Sequence, residues 1–173
     1  MKTGSSKETP VQFRPIQMKK VLVALDYDQS AQMVAESGYA LARSMEASVV
    51  LLHVIDEFNY YATEYSPIMG FSDFSNAVTP RLIDTGKIRE ASQNFLDSLK
   101  DHLADNGIET VIGEGETADT ILKTADKENC DLVVMGTHSR KGIDKILMGS
   151  VAEKVLHHSL KPLFIIPIRN LRK

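Results

Sequence analysis

The feature that most constrains this chain is a set of short runs in which consecutive residues, not alternate ones, are apolar. "KVLVALD" (20–26), "SVVLLHVID" (48–56), "LVVMG" (132–136) and "PLFIIPI" (162–168) are of this kind, and "TVIGEG" (110–115) joins them. A strand with one wet face reads as an alternation, whereas a run apolar at every position belongs to a strand covered on both faces. Between the runs the period changes to that of a helix. Ala31, Val34, Ala35, Gly38 and Ala42 form one apolar stripe, with Asp28 or Ser30 available as N-cap. Ile88, Ala91, Phe95, Leu99 and Leu103 form a second, which "DNG" (105–107) stops. Residues 117–129, with Ile121, Leu122 and Ala125 inward, and "SVAEKVLHHS" (150–159) supply two more. Strand and helix therefore alternate from start to finish. That order predicts a single doubly wound α/β domain, a five-stranded parallel sheet with right-handed crossovers and helices on both faces.

Length and composition narrow the class. A chain of 173 residues suits one domain with a full core. Its formal net charge of -3 argues against a nucleic-acid partner. Cys130 is the one cysteine and has no intramolecular partner, which fits a reducing compartment. The opening "MKTGSSKETPVQFRPIQMKK" lacks the apolar centre of a secretory signal, and no apolar run approaches the roughly eighteen residues of a membrane span. A cytoplasmic protein with no membrane partner is expected.

Three segments stand outside the alternation. Residues 1–18 read as a polar arm interrupted by Pro10 and Pro15, and 169–173 as a short tail, leaving 19–168 for the domain. Residues 57–86 make a connection longer than compact domains usually carry. Six of the aromatic residues (Phe 6 and Tyr 5 in the whole chain) fall between Phe58 and Phe74. This loop is either a small cluster packed on the body or a lid or partner surface beside a ligand site.

The chemistry concentrates in "MGTHSRKGIDKILMGSVAEKV" (135–155). In open parallel sheets ligands settle beyond the carboxyl ends of the strands, where strand order reverses. Gly136 ends the fourth strand, and Gly149-Ser150 opens the following helix, whose unpaired amides and partial positive charge suit phosphate. A second reading is equally open: Ser150 and Glu153 fit an S-x-x-E capping box that needs no ligand. Neither G-x-x-x-x-G-K-[ST] nor a G-x-G-x-x-G after the first strand is present, so a P-loop and a dinucleotide fingerprint are excluded. Lys161-Pro162 precedes its strand, opposite to the order in a phospho-accepting receiver. His53, inside an apolar strand, reads as a hydrogen-bonded core residue; His157 and His158 suit the negative end of a helix. Cys130, without companions, is a poor candidate for nucleophile or metal ligand. No triad, dyad or metal cluster is legible.

These stretches together resemble the universal stress protein family over residues 19–168. The most specific likeness is to its ATP-binding branch, whose signature is Gly, two residues, Gly, nine residues, then Gly-Ser or Gly-Thr. Gly136, Ser139, Gly149 and Ser150 occupy those places, so Ser139 stands where glycine is usual. The resemblance implies an adenine-nucleotide pocket. Ala24 and Asp26 would flank adenine and ribose, Val54 would meet the base through its backbone, and Met135 would wall it. Gly136, Ser139 and Arg140 would line the ribose and phosphate side, with Gly149, Ser150 and Val151 holding phosphates. ATP is the implied ligand, with magnesium bound only through its phosphates and no metal held by the protein itself. The resemblance also implies a homodimer paired through the last strand, Leu163 to Ile168, and regulation of an unidentified protein partner. Two alternatives belong to other classes. One is a slow ATP hydrolase, with charge from Arg140, Lys141 and Lys145 and water oriented by His138. The other is a nucleotide-free dimeric interaction module, to which Ser139 points.

Overall fold

The computed structural model describes residues 17–56, 85–137 and 148–168. Among these residues there are five strands: β1 (Lys20–Leu25), β2 (Ser48–Ile55), β3 (Glu109–Glu114), β4 (Leu132–Thr137) and β5 (Leu163–Pro167). They alternate with four helices: α1 (Ala31–Ser44), α2 (Thr85–Leu103), α3 (Thr117–Lys127) and α4 (Ser150–His158). The sheet is parallel throughout, in the order β3-β2-β1-β4-β5. Strand order reverses between β1 and β4, as a doubly wound sheet requires.

The consecutive apolar runs have a direct structural cause. Successive side chains of a strand point to opposite faces. Val21, Val23 and Leu25 of β1 enter one core cluster with Val49, Leu51, Leu132 and Val134, beneath α1 and α2. Leu22 and Ala24 enter the other, with Val50, Leu52, Val133 and Met135, beneath α3 and α4. Helices on both faces thus favour apolar residues on both faces of β1, β2 and β4, with His53 and Thr137 as buried polar exceptions. Burying a Val or Leu side chain fully is worth about 1.5–3 kcal/mol, so these three strands hold most of the stability.

The helices follow the expected stripes with local differences. In α1 the buried residues are those the period predicts: Ala31, Val34, Ala35, Gly38 and Ala42. In α2 only Phe95 and Leu99 of the predicted stripe are buried; Ser92 and Leu96 complete it, while Ile88, Ala91 and Leu103 are half-buried. The helix starts at Thr85, inside the stretch expected to be loop, and residues 57–84 lie outside the described set. It stops one residue before the "DNG" turn, because Ala104 takes the left-handed step at φ 52° and Asp105 then receives the Gly107 amide at 2.8 Å. At the start of α1 the N-cap position falls on Ser30, one of the two candidates, but without a side-chain capping bond. Its hydroxyl and amide both donate to Asp28 Oδ1, at 2.6 and 2.7 Å, so Asp28 holds the turn.

The close fit of α1 to the sheet depends on Gly38. A Cβ there would lie 2.8 Å from Val23 Cγ2 and 3.3 Å from Val134 Cγ1, both in the sheet centre. Gly38→Ala should therefore destabilise the protein. Over-packing costs about 1–3 kcal/mol, which exceeds the roughly 1 kcal/mol that alanine returns in helix propensity. A lower denaturant midpoint with an unchanged m-value is the expected result.

Candidate functional site

A crevice of about 300 Å³ opens at the carboxyl end of the sheet, astride the β1–β4 reversal. Its floor comes from the strands: Ala24 and Asp26 at the end of β1, Leu52 and Val54 in β2, Met135 and Gly136 in β4. Its wall comes from Gly149, Ser150 and Val151 at the start of α4. The eight sequence-predicted site residues that are described therefore lie around one cavity. Ser139 and Arg140 lie outside the described residues, as do His138, Lys141 and Lys145.

Several lining residues were not expected. Ser30, Ala31 and Val34 enter from α1, Thr117 and Ile121 from α3, and Ile168 from beyond β5. Three helices thus present their N-terminal ends to the same space. A helix start carries a partial positive charge of about half a unit, and at α3 the Glu116 side chain accepts one of the first-turn amides. Among the described lining residues Asp26 is the single ionisable side chain. The strand floor of the cavity is apolar apart from Asp26, and helix starts make up part of its rim.

The start of α4 bears on the capping-box reading of Ser150. The N-cap is Gly149, in an extended conformation (φ -64°, ψ 155°), and among the described residues no side chain caps the helix. Ser150 is already helical and the Glu153 amide bonds the Gly149 carbonyl at 2.9 Å, so the capping box with Ser150 as cap is not formed. The chain enters the helix one residue earlier than that motif assumes, and Ser150 lines the crevice instead. A neighbouring brace holds α4 in place. Lys154 Nζ reaches Glu116 and Asp119 at the start of α3, both at 3.0 Å. This hydrogen bonding holds the Asp119 carboxyl below its usual range and the Lys154 ammonium above its own. Glu116 also caps α3 by accepting the Asp119 amide at 2.8 Å.

Gly136 has a packing reason to be glycine. A Cβ there would fall 2.3 Å from Ile168 Cδ1 and 3.1 Å from Val34 Cγ2. Ile168 is itself held by its amide, which donates to Thr137 Oγ1 at 3.1 Å.

The remaining candidates behave as core or surface groups. Cys130 is buried away from this end of the sheet, and burial pushes its thiol up to about 11, leaving no thiolate near neutrality. His158 Nδ1 donates to the Lys154 carbonyl at 2.8 Å, as suits a helix C-terminus. No described helix is long and apolar enough to cross a membrane.

Comparison with known proteins places this architecture. The model of the universal stress protein family matches residues 18–167. The chain belongs to the universal stress protein family. The universal stress protein MJ0577 of Methanocaldococcus jannaschii is 28% identical over 159 residues, covering 90% of this chain and 98% of that one. Its solved structure superimposes with a TM-score of 0.66 at 27% identity, over 90% of this chain and 99% of that chain. Universal stress protein A homolog 1 of Coxiella burnetii is 30% identical over 141 residues, 80% of this chain and 89% of the relative. A universal stress protein of Archaeoglobus fulgidus, solved in complex with dAMP, shares the fold at 20% identity and a TM-score of 0.52, over 89% of this chain and all (100%) of that one.

His53 lies behind the crevice floor, 7% exposed. Its Nδ1 is 3.0 Å from the Leu25 carbonyl, which can only accept, so Nδ1 carries the proton. Burial lowers its pKa from the ordinary 6.5, against smaller opposing effects of that hydrogen bond and of Asp26. With the folded value below the unfolded one, the unfolded chain takes up the proton first. Stability should therefore hold above pH 6.5 and fall as pH drops below it, until the folded form is protonated too. Chemical denaturation across pH 5–8 should show this slope, and His53→Leu should flatten it.

Proposed function

We propose that this universal stress protein binds ATP in the β1–β4 crevice and acts as a nucleotide-responsive regulatory homodimer in the cytoplasm. The observation that carries the reading is the meeting of three helix starts at one cavity, with small residues Gly149 and Ser150 at that of α4. A triphosphate supplies the acceptors that such amides lack. The base would enter between Val54 and Met135, with Ala24 beneath it, and Asp26 would accept a ribose hydroxyl. Ser139 and Arg140 would complete the phosphate side, and magnesium would be held through the phosphates. The dAMP complex of the Archaeoglobus protein supports an adenine nucleotide in this architecture.

Protein purified without added nucleotide and then denatured should release ATP, detectable by chromatography. A Ser139→Gly variant should retain at least as much. Nucleotide released by the glycine variant alone would mean that serine closes the site; none from either, with no heat on titrating ATP and magnesium, would overturn the reading. Free phosphate accumulating with the parent protein would favour a hydrolase over a binding regulator.

The dimer reading rests on the two edges of the sheet. The β3 edge is polar, with Glu109, Thr110 and Glu114. The β5 edge is apolar from Leu163 to Ile168, and Phe164 is 42% exposed on it. An apolar edge strand is an aggregation hazard unless a second copy covers it. The protein should sediment as a dimer, and Ile165→Pro, which removes a strand donor, should shift it towards monomer.

A further inference from the structure

The bond from His53 does more than satisfy a buried ring. Leu25 and His53 form the last pair of the β1–β2 ladder, and Leu25 lies beyond the last β1–β4 pair, Ala24 with Met135. At Asp26 the chain leaves the sheet. The Asp28 amide donates to the Asp26 carbonyl at 3.0 Å, and the Ala31 amide to the Asp28 carbonyl at 3.2 Å, which leads into α1. The Leu25 carbonyl is thus the root of both Asp26 and the α1 N-terminus, two parts of the crevice lining. His53 grips that carbonyl from the face opposite the cavity floor, and its own ring is clamped. Phe95 of α2 meets it edge-on, centroids 5.6 Å apart at 74°, and Tyr27 lies 6.0 Å away while packing on Phe95 at 4.8 Å.

We propose that His53 is a positioning residue for the crevice: its Nδ1–H, donated to the Leu25 carbonyl, fixes the Leu25–Asp26 peptide and so aims the Asp26 carboxylate at the ligand. This rests on the nucleotide reading above. A polar residue in an otherwise apolar strand is then explained by the site it serves, since leucine would fill the same space without a donor. One hydrogen bond of this kind corresponds to about a three- to tenfold change in affinity.

Two substitutions separate positioning from packing. His53→Leu keeps an apolar filling and loses the donor; His53→Asn keeps a donor near the Nδ1 position and leaves a void. We expect Leu to match or exceed the parent in thermal stability yet bind ATP about three- to tenfold more weakly, and Asn to be less stable yet bind nearly as the parent does. Should Asn not fold, His53→Gln, whose amide also donates, takes its place. The carbonyl ¹³C shift of Leu25, read by NMR without ligand, should move in the Leu variant and stay in the amide variant. A purely structural role makes affinity follow stability instead. Parental affinity in the Leu variant, or an unmoved Leu25 carbonyl, overturns the inference alone. A parent protein that takes up no ATP overturns the nucleotide reading and this inference with it.

Discussion

The pairing of β1 with β4 is the contact on which the rest depends. Val21 to Ala24 align with Leu132 to Met135 although more than a hundred residues separate them in sequence. That seam is buried on both faces, with β2 and β3 on one side of it and β5 on the other. Because the chain turns outward in opposite directions on the two sides, the carboxyl ends of β1 and β4 diverge and leave a gap no side chain of the sheet fills. The crevice is thus a consequence of topology, and its chemistry is set by what the connections bring to its rim.

What they bring is mostly backbone. The helix starts at Ala31, Thr117 and Ser150 all face the gap, and ion pairs outside it hold the arrangement. The Lys154 brace to Glu116 and Asp119 ties α4 to α3. At the opposite end of the sheet, Asp131 accepts the amides of Lys19 and Lys20 at 2.7 and 3.1 Å and fixes where β1 begins against β4. These contacts are exposed or half-exposed, and solvent screens them. Their contribution is to register and direction, while the apolar seam supplies the free energy.

Much of this was legible in the sequence, for identifiable reasons. Strands covered on both faces leave no polar positions, so β1, β2 and β4 could be read to within a residue or two. The crevice followed from topology, and its floor residues from the strand ends. Other features were invisible because they depend on register or on distant segments. Nothing local says that His53 lies opposite Leu25, or that Ile168, Thr117 and Ser30 meet the same cavity. The stripe of α2 was misjudged because Ser92 carries a hydroxyl yet is small enough to be buried. The capping of α4 was ambiguous because Gly149-Ser150 lets the helix begin in either of two frames, and only the backbone angles decide between them.

That last choice bears on function more than on stability. As an N-cap, glycine costs only a few tenths of a kcal/mol relative to serine. A serine cap would turn its own oxygen onto the next amides and satisfy them internally. With glycine there, those donors stay directed at the cavity, where an acceptor must come from solvent or from a ligand. The same logic applies at α1, where Ser30 gives its hydroxyl to Asp28 and not to its own helix. At α3, by contrast, Glu116 does cap, and that helix offers the crevice the side chain of Thr117, whose hydroxyl is 3.3 Å from Asp56. Two of the three helix starts are therefore left without a side-chain cap, and both flank the seam between β1 and β4. A fold selected for stability alone would cap them, since the substitutions are small and the gain is real. Both starts are thereby placed where the proposed nucleotide would supply its acceptors.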